Sequence, residues 1–162
     1  MTRPLLLLAF FLTTIKLDAL ACECDGTPTF DTEFKGSDRV FVGQVISIKP
    51  YHAQKGRKLF SEFVIEFTID KVYKGTTTKN VKVRTPVSIA SCGYPFEKGE
   101  KYLVYTFRSH NASNVSYCSR TNEINLAAKD VEKLKKLSIT DKTATNIAFV
   151  LSGLRNIAHQ HL

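Results

Sequence analysis

Apolar and polar positions alternate most cleanly over residues 63–70. Phe63, Ile65, Phe67 and Ile69 fall on one side there, with Val64, Glu66, Thr68 and Asp70 on the other, which is the period of two expected of a strand. Val81 and Val83 alternate in the same way with Lys82 and Arg84, and Leu103, Tyr105 and Phe107 alternate with Tyr102, Val104 and Thr106. Residues 40–48 are apolar-rich, and residues 115–118 are long enough for a fifth, short strand. Five successive strands predict a small barrel or sandwich. The polar, basic stretch 50–58 reads as a loop, and Lys74-Gly75-Thr76 and Glu97-Lys98-Gly99-Glu100 read as turns. After Cys118 the period lengthens. Ala127, Val131, Leu134 and Ser138 trace one helical face, and Ile147, Val150, Leu151, Leu154 and Ile157 trace a second. The predicted fold class is therefore mainly β with flanking helices: strands over about 22–120, and two C-terminal helices over about 121–162 packed against them.

The first 21 residues stand outside this pattern. Arg3 precedes an apolar run over 5–15, and Ala19-Leu20-Ala21 puts small residues three and one before a cut, as in a secretory signal peptide. An apolar run of that length is too short for a bilayer core, which needs about 20 residues, and no later stretch approaches it. A secreted, extracellular product with no membrane span is expected. Removing the leader from 162 residues leaves 141, the size of one domain, and losing Arg3, Lys16 and Asp18 turns a net charge of +8 into +7. With 43% apolar residues the chain can fill a core, which excludes wholesale disorder.

Export changes how the four cysteines read. Cys22, Cys24, Cys92 and Cys118 are an even set, so two disulfides are expected, with three pairings open. Cys22-Glu23-Cys24 is spaced too tightly for the usual zinc-cluster pattern. Acylating Cys22, the first residue after the cut, would leave one thiol unpaired, and the even count argues against it.

The basic balance favours acidic partners without naming one. Lys55, Arg57 and Lys58 are candidate contacts for a sulfated glycan or extracellular matrix, which is the alternative to the function reached below. Nucleic acid is not expected, since export removes the usual partner and no aromatic platform interleaves the basic residues. Asn111 and Asn114 each begin a glycosylation sequon. The four histidines are scattered and the thiols are expected to be oxidised, so no nucleophile, base and oxyanion set forms and no catalysis is predicted.

Several of these features coincide in one known family. They are Cys22-Glu23-Cys24 at a signal cut, the run F-K-G-S-D-R-V-F-V over 34–42, Val72-Tyr73-Lys74-Gly75, Ala90-Ser91-Cys92-Gly93 and Lys101-Tyr102-Leu103-Val104. Over Cys22 to about Leu137 the chain resembles the N-terminal, netrin-like domain of the tissue inhibitors of metalloproteinases. The resemblance implies a five-stranded barrel of the oligonucleotide/oligosaccharide-binding type and the pairings Cys22–Cys92 and Cys24–Cys118. It also implies an inhibitory ridge of Cys22, Glu23, Cys24, Asp25, Ala90 and Ser91. In that ridge the free amine and carbonyl of Cys22 chelate the catalytic zinc of a target metalloproteinase, and Glu23 points into the neighbouring substrate pocket. The inhibitor needs no cofactor of its own, because the zinc belongs to the target. An acidic Glu23 is expected to narrow the targets to enzymes with a basic group in that pocket. The family's third bridge of this domain and its second domain are not matched, so a single-domain form is implied.

Overall fold

A computed structural model describes residues 22–55, 58–75 and 78–139, with the backbone alone between 53 and 60. The expected leader over 1–21 and the second C-terminal helix both lie outside the described residues. A short helix, α1 (Phe30–Gly36), precedes six strands: β1 (Arg39–Lys55), β2 (Lys58–Lys74), β3 (Asn80–Pro86), β4 (Lys101–Ser109), β5 (Ala112–Asn114) and β6 (Asn122–Glu123). A second helix, α2, covers residues 128–139.

The strands run β1-β2-β3-β5-β4-β6, and β1 also pairs with β4, so five of them close a ring. Every pairing is antiparallel except β3 with β5, which meet in parallel through Arg84 opposite Asn114. β1 carries three register shifts against β2, one of them at Gly43. A Cβ there would come within 2.8 Å of the Thr68 carbonyl oxygen, so the bend brings two backbones closer than any side chain allows.

Two hydrophobic layers explain why β1 reads as an apolar run and why both alternating sets of β4 are mostly apolar. Inside the ring lie Phe41, Val45, Ile65, Phe67, Val81, Val83, Tyr102 and Val104, with Phe96 and Val115 plugging it. The intervening residues Val40, Val42, Leu103 and Tyr105 face outward and are covered by Phe30 of α1 and by Ala127 and Leu134. A strand buried on both faces loses its alternation. β3 has only one buried face and keeps it, with Val81, Val83 and Thr85 inward and Lys82 and Arg84 outward. The predicted helical face holds where α2 is described: Ala127 and Leu134 are buried, and Val131 packs against the same layer.

Two expectations need correction. Residues 50–55 are strand rather than loop, since β1 continues to Lys55 and pairs with β2 back to Lys58 in an antiparallel ladder. Backbone hydrogen bonds sustain that ladder where Tyr51 and His52 are exposed and impose no apolar alternation. The fifth strand is Ala112–Asn114 rather than 115–118. Past Val115 the chain leaves the sheet, because the Tyr117 amide donates to the Cys92 carbonyl at 2.9 Å and Cys118 is tied to Cys24.

The sequence reading also missed α1, which is seven residues long. Thr29 caps it by accepting from the Thr32 amide at 3.2 Å, Asp31 and Glu33 occupy its first turn, and Phe30 and Phe34 stack one turn apart.

Candidate functional site

The first described residues are held by two disulfides, Cys22–Cys92 and Cys24–Cys118, with Cα separations of 5.1 and 5.5 Å. Of the three pairings the sequence leaves open, this is the one the resemblance implies. The bridges lie side by side, with the Cys22 Sγ 3.5 Å from the Cys118 Sγ. Three sulfurs, from Cys22, Cys24 and Cys118, consequently gather within 4.8 Å of one another. All are oxidised, and metal binding needs the thiolate, so the cluster is accounted for by the bridges.

Cys92 enters this arrangement from a tightly wound segment after β3. Ser88 organises it: its carbonyl accepts from the Ser91 amide at 3.1 Å and the Gly93 amide at 2.8 Å, and the Ser91 hydroxyl adds a bond at 2.9 Å. Ile89–Ser91 form a 3-10 turn, and Cys92 follows in the left-handed region at φ 64°. Gly93 is required here, because a Cβ would collide with the Pro86 carbonyl. The Tyr94 amide donates to the Thr85 hydroxyl at 2.7 Å, which fixes the far side of the turn to β3.

The result is a rigid base with an open upper surface. Glu23, Asp25, Ala90 and Ser91 are exposed, whereas Cys22, Cys24 and Cys92 are half-buried. Among the described residues neither Glu23 nor Asp25 has a hydrogen-bond or ion-pair partner. On the segments that carry the partner cysteines the structure adds exposed Val87 and Ile89, before Cys92, and Tyr117, before Cys118, which the sequence reading did not single out. Val87 and Ile89 sit between the end of a strand and a bridged cysteine, and that position is the signal that could have found them.

Behind the bridges a cleft of about 500 Å³ is lined by Cys24, Tyr94, Tyr117, Cys118, Arg120 and Asn122, among others. Burial, assisted by the neighbouring Tyr102, Glu123 and Tyr117, raises the Tyr94 hydroxyl far above the ordinary tyrosine range. At the inner end Arg120 donates twice to Asp130, at 2.7 Å to each carboxylate oxygen, and once to the Pro28 carbonyl at 2.9 Å. The Tyr105 hydroxyl donates to the same carboxylate at 3.0 Å. This network clamps the segment after Cys24 onto α2 and β4. Glu33 of α1 lies near it, and its carboxyl is raised by burial, with opposing contributions from the Arg120 hydrogen bond and charge.

The remaining sequence candidates lie elsewhere. Arg57 is outside the described residues, and of Lys55 and Lys58 only the backbone is described, at the end of the β1–β2 ladder. The two sequons differ sharply. Asn111 is exposed, on a left-handed turn residue at φ 59°. The Asn114 side-chain nitrogen, by contrast, donates to the carbonyls of Ser109 at 3.1 Å and Ala112 at 2.8 Å. A glycan on Asn114 would replace one of the two hydrogens that make those bonds and so forfeit at least one of them. Expressed in a glycosylating host, the protein is expected to carry its sugar at Asn111, so Asn111→Gln removes the added mass and Asn114→Gln does not; glycopeptide mass spectrometry distinguishes the two.

Comparison of the chain with protein-family models and with curated protein sequences finds no match to either.

Proposed function

We propose that the protein is a secreted inhibitor of zinc metalloproteinases, built on a netrin-like barrel of the oligonucleotide/oligosaccharide-binding type. In this reading, cleavage after Ala21 frees the amine of Cys22. The observation that carries it is the adjacent pair of disulfides, which fixes Cys22 and Cys24 beside an exposed turn and leaves Glu23 uncovered between them. A catalytic zinc keeps one position open beyond its three protein ligands, and a neutral amine with the adjacent carbonyl can fill it as a bidentate ligand in place of the reactive water. With an α-amino pKa of about 7.7–8.0, losing the proton costs little near neutrality. Because the terminus is already ordered by its bridges, little conformational entropy remains to be lost on docking.

The unpartnered Glu23 carboxylate would enter the substrate pocket next to the zinc. Burying it against apolar walls costs several kcal/mol, so the preferred targets carry a basic group there. Val87, Ile89 and Tyr117 would supply the apolar contact around that point.

The test compares two forms of the protein, one beginning at Cys22 and one with a single alanine ahead of it, against a panel of zinc metalloproteinases. Converting the amine to an amide is expected to weaken inhibition on the order of 100-fold or more, a loss of at least about 3 kcal/mol. Equal inhibition by both forms, or inhibition by neither, would sink the reading.

A further inference from the structure

Closing the ring brings together cations that are far apart in the chain. Arg39 of β1, Lys82 and Arg84 of β3 and Arg108 of β4 line one cavity of about 410 Å³, together with Tyr51. No carboxylate is among its lining residues. Two acidic groups stand just outside. Asp38 is shared, with the Arg108 guanidinium at 3.2 Å from both of its oxygens and Arg39 Nε at 3.8 Å. Glu62 lies 3.8 Å from Arg84. Counting Glu66, the cross-strand partner of Lys82, three carboxylates stand by four cations, and among the described residues Lys82 has no ion-pair partner.

The geometry favours a particular kind of anion. The Arg84 guanidinium sits 4.3 Å from the centre of the Tyr51 ring, which holds its fork in place at the cavity wall. Among the described residues Tyr51 is the one aromatic side chain in the lining, and Arg84 occupies its face, which leaves that face closed to a stacking base. Ser113 adds a neutral hydroxyl at the same rim. We propose that this cavity binds a sulfated polysaccharide, with Arg39, Lys82, Arg84 and Arg108 receiving sulfate and carboxylate groups and the Ser113 hydroxyl receiving a sugar oxygen. Guanidinium groups match a sulfate with paired N–H bonds as they do a phosphate. The site is separate from the Cys22 segment and from the Lys55–Lys58 end of the hairpin, so it does not rest on the inhibitory reading.

The experiment measures binding of a heparin hexasaccharide to the Asn111→Gln form, which carries no sugar at the cavity rim, in about 0.15 M salt, roughly physiological screening. Lys82→Ala combined with Arg84→Ala is compared with Lys129→Ala combined with Lys135→Ala, an equal charge change on exposed positions of α2. The cavity variant is expected to lose about tenfold or more in affinity, and the helix variant less than about threefold. If the cavity double variant fails to fold by circular dichroism, Lys82→Gln alone, on the exposed side of β3, is read instead. Equal losses in the two variants, no hexasaccharide binding by the parent protein, or equally tight binding of a single-stranded oligonucleotide of matched charge would each overturn the proposal. The metalloproteinase panel is expected to respond equally to parent and cavity variant, so failure of the one proposal is distinguishable from failure of the other.

Discussion

Asp130→Ala is expected to cost about 3 kcal/mol of folding stability, at the lower end of what breaking a buried ion pair from one side costs. Asp130 is 8% exposed and accepts three hydrogen bonds, two from Arg120 and one from Tyr105. Removing it strands a guanidinium whose proton is held more tightly because of that hydrogen bond, and a buried phenol left without its acceptor. Arg120 remains about a quarter exposed, so water can reach it and the upper end of the range is not expected. Thermal unfolding should shift down by roughly 10 °C for a domain of this size. Removing both charges as Arg120→Met with Asp130→Leu should recover much of the loss, because no unpaired ion is then left behind. Asp130→Ala alone leaving the melting temperature unchanged would show that the network holds nothing.

The second large effect is expected from the bridges. Replacing Cys24 and Cys118 with serine leaves Cys22–Cys92 in place, so the loop released runs only from 22 to 24 and from 92 to 118, worth about 3.5 kcal/mol in the chain-entropy model. Replacing Cys22 and Cys92 releases the same path, so the two losses should agree to within a few tenths of a kcal/mol. Chemical denaturation of both double variants measures this. If one bridge costs several kcal/mol more than the other, contacts made by its surroundings outweigh loop closure. The local bonding makes Cys92 the better candidate for that excess, because the Ser88-centred turn and the Gly93 approach to Pro86 depend on the backbone it anchors.

What the sequence made readable follows from which faces are buried. β2 and β3 bury one side, so their alternation stands out, and the Ala127–Val131–Leu134 stripe marks α2 for the same reason. β1 was visible as an apolar stretch and β4 as an alternation whose two sets are both mostly apolar, and the expected helical cover over them is found for α2. The extension of β1 past Pro50 was unreadable, because Tyr51 and His52 are exposed and the ladder there is held by backbone bonds that leave no mark in the sequence. α1 offered only Phe30 and Phe34 over a single pair of turns, too little for a period to register. Val115 pointed to a strand because it is buried, yet it serves as a plug one residue beyond β5.

The candidate sites show the same division. Cys22, Cys24, Cys92 and Cys118 could be counted and the resemblance paired them, but the exposed Val87 and Ile89 emerge only once Cys92 is placed. Charge was harder still. Reading along the chain selects clusters of neighbours such as Lys55, Arg57 and Lys58, whereas the cavity cations come from residues 39, 82, 84 and 108. Only ring closure makes them adjacent.

The connectivity of the bridges also sets an order of events during synthesis. In an exported chain Cys22 and Cys24 would enter the oxidising compartment first, while their partners follow 70 and 94 residues later. In the interval each has only the other thiol within reach, and a premature link between them must be undone by exchange before the native pairs can form. Completion of this protein therefore waits on the arrival of Cys118, and a host poor in disulfide isomerase would accumulate chains sealed at the wrong end.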